Sequence, residues 1–114
     1  MQGIPFRVDG RGRVLASWMS RDRAYWGASD EGAGRFGPPV PTPDKGKQPE
    51  SFPIALANRQ GQVILVWKQG TQVQWALYTA DGTYTGQRGL AGESPGRNKL
   101  TAFVGRDDQF YVVF

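Results

Sequence analysis

The side chains able to do chemistry in this 114-residue chain are few, and the missing types narrow the field first. There is no histidine and no cysteine, which removes the commonest neutral-pH base and metal ligand together with any thiolate nucleophile. Zinc sites, Ser/His or Cys/His triads and disulfide frameworks are therefore excluded within the chain, and no metal or cofactor is expected. Carboxylates, phenols and guanidinium groups remain. Asp30 and Glu31 have the types of a glycosidase acid and base, but adjacent residues of a strand or turn point in different directions, so capping of a turn is the stronger reading. Asp107 and Asp108 fall where the preceding repeat has Gln60 and Gly61, and read as turn residues rather than as a calcium site. Tyr78 and Tyr111 would each need a neighbouring carboxylate base to act as nucleophiles, and their spacing within strands reads as packing. Gly10 to Gly12 is a strand-linking turn, because no Lys-Ser or Lys-Thr follows it as in a phosphate-cradling loop.

Charge and composition exclude further classes. Fourteen basic and 10 acidic residues give a net charge of +4. The basic cluster Arg7, Arg11, Arg13, Arg21 and Arg23 is interrupted by Asp9 and Asp22, which dilutes the field a nucleic acid would need. No nucleic-acid partner is expected. No apolar run approaches the roughly 18–20 residues of a membrane span, and the opening MQGIPFRVDG lacks a hydrophobic signal region. No membrane partner is expected either. Sixteen Gly and 8 Pro, with no long run of helix formers, favour turns and short strands.

The elements that must position these groups emerge from an internal repeat. A shift of 49 residues lays Gly12, Val14, Leu15, Trp18 and Trp26 on Gly61, Val63, Ile64, Trp67 and Trp75, with Asp9 on Asn58. A further shift of 47 lays Arg59, Gln62, Val63, Ile64, Leu65, Val66 and Trp67 on Arg106, Gln109, Phe110, Tyr111, Val112, Val113 and Phe114. Apolar runs alternate with turns rich in Asp, Asn, Gly and Arg, which predicts four short strands per copy. In the first copy these are Pro5 to Val8, Arg13 to Trp18, Arg23 to Ala28 and Pro39 to Thr42. In the second they are Ile54 to Ala57, Gln62 to Lys68, Val73 to Thr79 and a weak outer strand near Thr85 to Gly89. Four-stranded units of this length, repeated, have the size of propeller blades, and a lone blade leaves two apolar faces uncovered. A sandwich or jelly roll would share the short strands but does not predict the 49-residue period. The predicted fold class is all-β, with antiparallel four-stranded β-propeller blades forming a partial propeller of about 2.3 blades. The divisions are 1–52 for the first blade, 53–100 for the second and 101–114 for the first two strands of a third. Trp18, Trp26, Trp67 and Trp75 read as inter-blade core rather than as sugar-stacking platforms. The connector PPVPTPDKGKQP, Pro38 to Pro49, reads as an extended outer strand and loop.

Ser29 to Phe36, SDEGAGRF, resembles the Asp-box hairpin of the sialidase-like (Asp-box or BNR-repeat) β-propellers, whose pattern is Ser-x-Asp-x-Gly-x-Thr-aromatic. Aligned on Ser29 and Phe36, the chain has Glu31 in place of Asp, Ala33 in place of Gly and Arg35 in place of Thr. The second repeat has TADGTY, with Thr79, Asp81 and Gly82 in a shorter hairpin predicted to be of type I′. The strand VILVWK followed by QWALYTADG is likewise similar to the last part of bacterial sialidase-like proteins. The resemblance implies that these turns are structural, and implies a secreted or periplasmic location. It also implies that Arg7, in IPFRVDGRG, lies on an innermost strand facing the central channel, where it is either a solvated channel residue or a ligand-binding one. A sialidase of this family would need three arginines, a Tyr/Glu pair and an acidic Asp drawn from different blades, a set that no residues of this chain complete.

Two functions follow as expectations. The first is a noncatalytic scaffold or glycan- or protein-binding module, completed either as a homo-oligomer or by the remaining blades of a larger chain, with a glycan as one candidate ligand. The alternative is part of a sialidase-like glycoside hydrolase whose active site is incomplete in this chain.

Overall fold

Strand formation follows the apolar runs. In the computed structural model, which describes residues 5–30, 35–44, 46–96 and 100–114, ten strands and no helix occur among the described residues. The first sheet is an antiparallel meander of β1 (Phe6–Val8), β2 (Val14–Ser20), β3 (Arg23–Ala28) and β4 (Val40–Pro41), paired in that order. The second repeats it with β5 (Glu50–Ala57), β6 (Val63–Gln69), β7 (Gln72–Tyr78) and β8 (Tyr84–Glu93), and β9 (Thr101–Val104) pairs with β10 (Phe110–Val113) to make the third. The protein is thus all-β with antiparallel sheets of four, four and two strands.

The sheets pack face to face in chain order, and β6 shows why. Six of its seven residues are buried. With a side-chain period of two, Val63, Leu65 and Trp67 point to one side and join Ala55, Ala76 and Tyr78 against Leu15, Ala24 and Trp26 of the first sheet. Ile64 and Val66 point the other way and join Ile54, Leu56 and Val73 against Ala102, Val104, Phe110 and Val112 of the third. Trp26 meets Tyr78 edge-on, with ring centroids 5.6 Å apart. Among the described residues the indole N–H groups of Trp26 and Trp67 find no acceptor, so these rings act there through volume and apolar area.

Polar contacts latch the first two sheets across this core. The carboxylate of Glu50, itself buried, accepts hydrogen bonds from the Ala24 amide at 2.7 Å and from the Thr42 hydroxyl at 3.0 Å. Ser17 donates to the Pro53 carbonyl at 2.9 Å, and Tyr78 donates to the Pro41 carbonyl at 2.7 Å. Pro53 lies in a bulge where the β5–β6 register shifts between Ser51 and Ile54 and Phe52 takes φ 51°.

Several predicted limits move. The weak outer strand expected near Thr85 to Gly89 is instead the ten-residue β8, the longest of all. Its residues are largely exposed, so it carries no hydrophobic period, and pairing with β7 through two register shifts defines it. The outer strand expected at Pro39 to Thr42 shrinks to Val40–Pro41, because the surrounding prolines lack the N–H a ladder requires. β5 begins at Glu50 rather than Ile54. Of the four tryptophans read as inter-sheet core, Trp26 and Trp67 are fully buried and Trp75 packs partly buried beside the second cluster. Trp18 instead lies on the outward face of the first sheet, stacked on Tyr25 at 6.2 Å.

Replacing Trp67 with Ala should cost about 3–5 kcal/mol, the range for truncating a large aromatic in a closed core. The urea midpoint reads this directly, and a shift within experimental error would place Trp67 outside the core.

Candidate ligand site at the first strands

One turn design recurs at four places and sets the geometry of the rim. Asp9–Arg13, Asn58–Gln62, Thr79–Thr83 and Gly105–Gln109 each close with a bond from the first amide to the last carbonyl and another from the fourth amide to the first carbonyl. The fourth residue takes positive φ in every case: Gly12 at 83°, Gly61 at 85°, Gly82 at 95° and Asp108 at 63°. This is a type I turn followed by a left-handed residue, so the type I′ expectation for Thr79 to Tyr84 is corrected, because Asp81 does not share the positive φ of Gly82. Two successive positive φ values occur instead at Arg21 and Asp22, between β2 and β3.

The Asp-box-like residues behave as turn residues. Ser29 and Phe36 form an isolated bridge, and the Ser29 hydroxyl accepts the Val14 amide at 2.9 Å. Glu31 lies outside the described residues. Thr79 donates to the Asp81 carboxylate, which also accepts the Thr83 amide and hydroxyl at 3.2 and 2.9 Å. These bonds hold the Asp81 carboxyl below its ordinary range.

The first strands of all three sheets, β1, β5 and β9, border a cavity of about 370 Å³ lined by Arg7, Asp9, Asn58, Arg59, Phe103 and neighbouring backbone. Arg7 pairs with Leu15 in the ladder and so points toward the second sheet. It stands where the other two copies have Leu56 and Phe103, a cation in place of apolar side chains. Its guanidinium donates to the Phe6 carbonyl at 3.1 Å and, among the described residues, makes no ion pair.

The neighbouring charges are already engaged. Arg13 bonds Asp9 at 2.9 Å. Burial pushes the Asp9 carboxyl upward, but hydrogen bonds from Arg13 and from the Arg13 and Arg11 amides outweigh it and leave the group below its ordinary range. Asp108 accepts the Arg59 amide at 2.7 Å across the sheet boundary, while the Arg59 side chain donates to the Arg106 carbonyl at 2.8 Å. Asn58 also crosses that boundary, donating to the Asp108 carbonyl at 3.3 Å. Arg59, which sequence reasoning passed over, thus shares the cavity with Arg7; its match to Arg106 in the repeat is the signal that marked its place in a turn.

Nucleophilic chemistry finds little support in the phenols. Burial raises Tyr78 well above the ordinary tyrosine range, so it stays protonated at neutral pH. Tyr111 donates to Asp107 at 2.6 Å, and this bond raises its pKa too while lowering that of Asp107. Asp107 and Tyr111 sit four residues apart across the β9–β10 turn, with Tyr111 stacked on Phe103 at 5.2 Å. The pair braces a hairpin. Among the described residues no group of three or more acidic, His or Cys side chains could hold a metal ion, and no helix is long and apolar enough to cross a membrane.

Comparison of the chain with protein-family models, with curated proteins and with solved structures finds no match in any of the three.

Two outcomes follow. Asp108→Ala should destabilise the protein by about 1 kcal/mol more than Asp108→Gly in paired urea melts, since both lose the carboxylate but only alanine bears the steric cost of positive φ; equal losses would assign the whole effect to the carboxylate. The Tyr78 phenol, raised in the folded state, contributes stability that is fully present below its unfolded value of about 10 and is lost as pH rises above it. Urea midpoints should fall above pH ~10, and Tyr78→Phe should flatten that decline; an unchanged slope would locate it elsewhere.

Proposed function

We propose that the chain is a run of β-propeller blades acting as a noncatalytic scaffold, whose ligand site is the cavity bordered by the first strands. The observation that carries this reading is the succession of antiparallel meanders packed face to face in chain order, each contributing its first strand to one cavity. Blades of a propeller place their first strands around a common channel in this way. The ligand is a glycan bearing a carboxylate. Arg7 supplies the cation for it, being the position where the repeat replaces an apolar residue by guanidinium and where no acidic side chain among the described residues pairs with it. Asn58 and Arg59 on the adjacent turn supply further donors.

Amide-resolved NMR titration with a carboxylate-bearing oligosaccharide and its neutral counterpart tests the reading. Shifts confined to residues around Arg7, Asn58 and Phe103, seen with the acidic sugar and weakened at least about tenfold by Arg7→Ala, are expected for a charge-assisted contact. Shifts unaffected by Arg7→Ala would remove Arg7 from the site, and no shifts with either sugar would remove the glycan.

A further inference from the structure

Each sheet of the repeat has two unlike faces, and the chain shows how they fit. The face of the first sheet carrying Leu15, Ala24 and Trp26 meets the face of the second carrying Ala55, Val63, Leu65 and Trp67. The opposite face of the second sheet, with Leu56, Ile64 and Val66, meets Ala102, Val104, Phe110 and Val112 of the third. The 47-residue shift takes Ala55, Ala57, Val63 and Leu65 onto Ala102, Val104, Phe110 and Val112, so one receiving face is used twice.

Among the described residues two faces are left uncovered, and they are the two halves of this same contact. On the outward side of the first sheet lie Phe6, Val14, Ala16 and Trp18, the 49-residue equivalents of Ala55, Val63, Leu65 and Trp67. This is a receiving face; the Trp18 ring lies across Gly27, where an added Cβ would sit 3.2 Å from it. On the outward side of the third sheet lie Phe103, Tyr111 and Val113, the equivalents of Leu56, Ile64 and Val66. This is a donating face, with Phe103, Tyr111 and Val113 all exposed.

We propose that the donating face of the third sheet docks on the receiving face of the first sheet of a second copy, and that two copies close reciprocally into one ring. The inference rests on reading the sheets as propeller blades. Two copies give six sheets, within the roughly four to eight of known propellers, whereas three would exceed it. A second copy fits because a single chain bears both complementary faces, and the contact they would make repeats one already made twice within it.

Light scattering over a range of concentrations, on the wild type and on Phe6→Glu and Phe103→Glu, tests the contact. Both side chains are at least half exposed, 56% and 50%, so folding should survive, and the urea midpoint checks that it does; Val8→Glu, at a position 69% exposed, replaces Phe6→Glu if it does not. The wild type should reach twice the mass of the chain. Each variant alone should dissociate at least about 30-fold more readily, as for a buried interface anchor. An equimolar mixture should recover a one-to-one dimer, because one unaltered donating face and one unaltered receiving face remain. A wild type that stays monomeric, a variant that dimerises as well as the wild type, or a mixture that fails to recover would overturn the docking. The Trp26–Tyr78 nuclear Overhauser contact, read in the same samples, separates the two claims. Its presence in a monomer overturns the ring but leaves the stacked sheets, and its loss overturns the stack as well.

Discussion

A strand apolar on both faces is stable only between two other layers, and β6 is such a strand. Val63 to Trp67 cannot be turned so that either side meets water, since a period of two divides the run into two apolar stripes whatever the register. The second sheet is therefore held between the first and the third, and the order of packing follows the order of the chain. Burying Trp67 and Trp26 without acceptors for their indole N–H groups among the described residues carries a cost of about 1–3 kcal/mol for each unmade bond. That cost is tolerable only where large apolar areas are removed from water, which is what the face-to-face contact of the sheets supplies.

The turns translate that packing into a shared rim. All four three-residue turns need a left-handed residue at the same place, and three of them use glycine. The exception, Asp108, accepts the less favourable backbone and in return gains a carboxylate that reaches the Arg59 amide of the neighbouring turn. A residue that relaxes a local rule here makes a contact between sheets that glycine could not make. Together with Asn58, it ties the second and third sheets at the end where the cavity opens, as Arg13 ties the first to the second through the Ala80 carbonyl at 3.0 Å.

Much of the fold was legible because the repeat is. Trp18 and Trp26 matching Trp67 and Trp75 fixed the strand sequence, and apart from the start of β5 the three inner strands of each four-stranded copy lie close to their predicted limits. What escaped was defined by backbone rather than by burial. β8 has a largely exposed face of Thr, Gln and Arg and no period to read, and the extension of β5 back to Glu50 depends on a buried carboxylate capping the Ala24 amide, a partner 26 residues away. The turn at Thr79 to Thr83 was placed but mistyped, since Asp-Gly serves both turn classes and only φ at Asp81 distinguishes them. Of the site, Arg7 was legible as a charge on a first strand. Arg59 was not, because a turn arginine looks solvated until the neighbouring sheet is set beside it.

Where a repeat is this regular, the positions that break it carry information of their own. Ser17 replaces the apolar residue found as Val66 and Val113 in the other copies, and its hydroxyl latches the bulge at Pro53. Lys68 stands where the first copy has Met19; it is buried, donates to the Gly96 carbonyl at 2.8 Å and lies 5.7 Å from the Phe52 ring. Each departure is explained by a polar partner within the fold. Arg7 departs in the same sense from Leu56 and Phe103, but among the described residues its hydrogen-bond partner is the exposed carbonyl of the residue beside it, so this departure, unlike the other two, is not matched by a polar partner elsewhere in the fold.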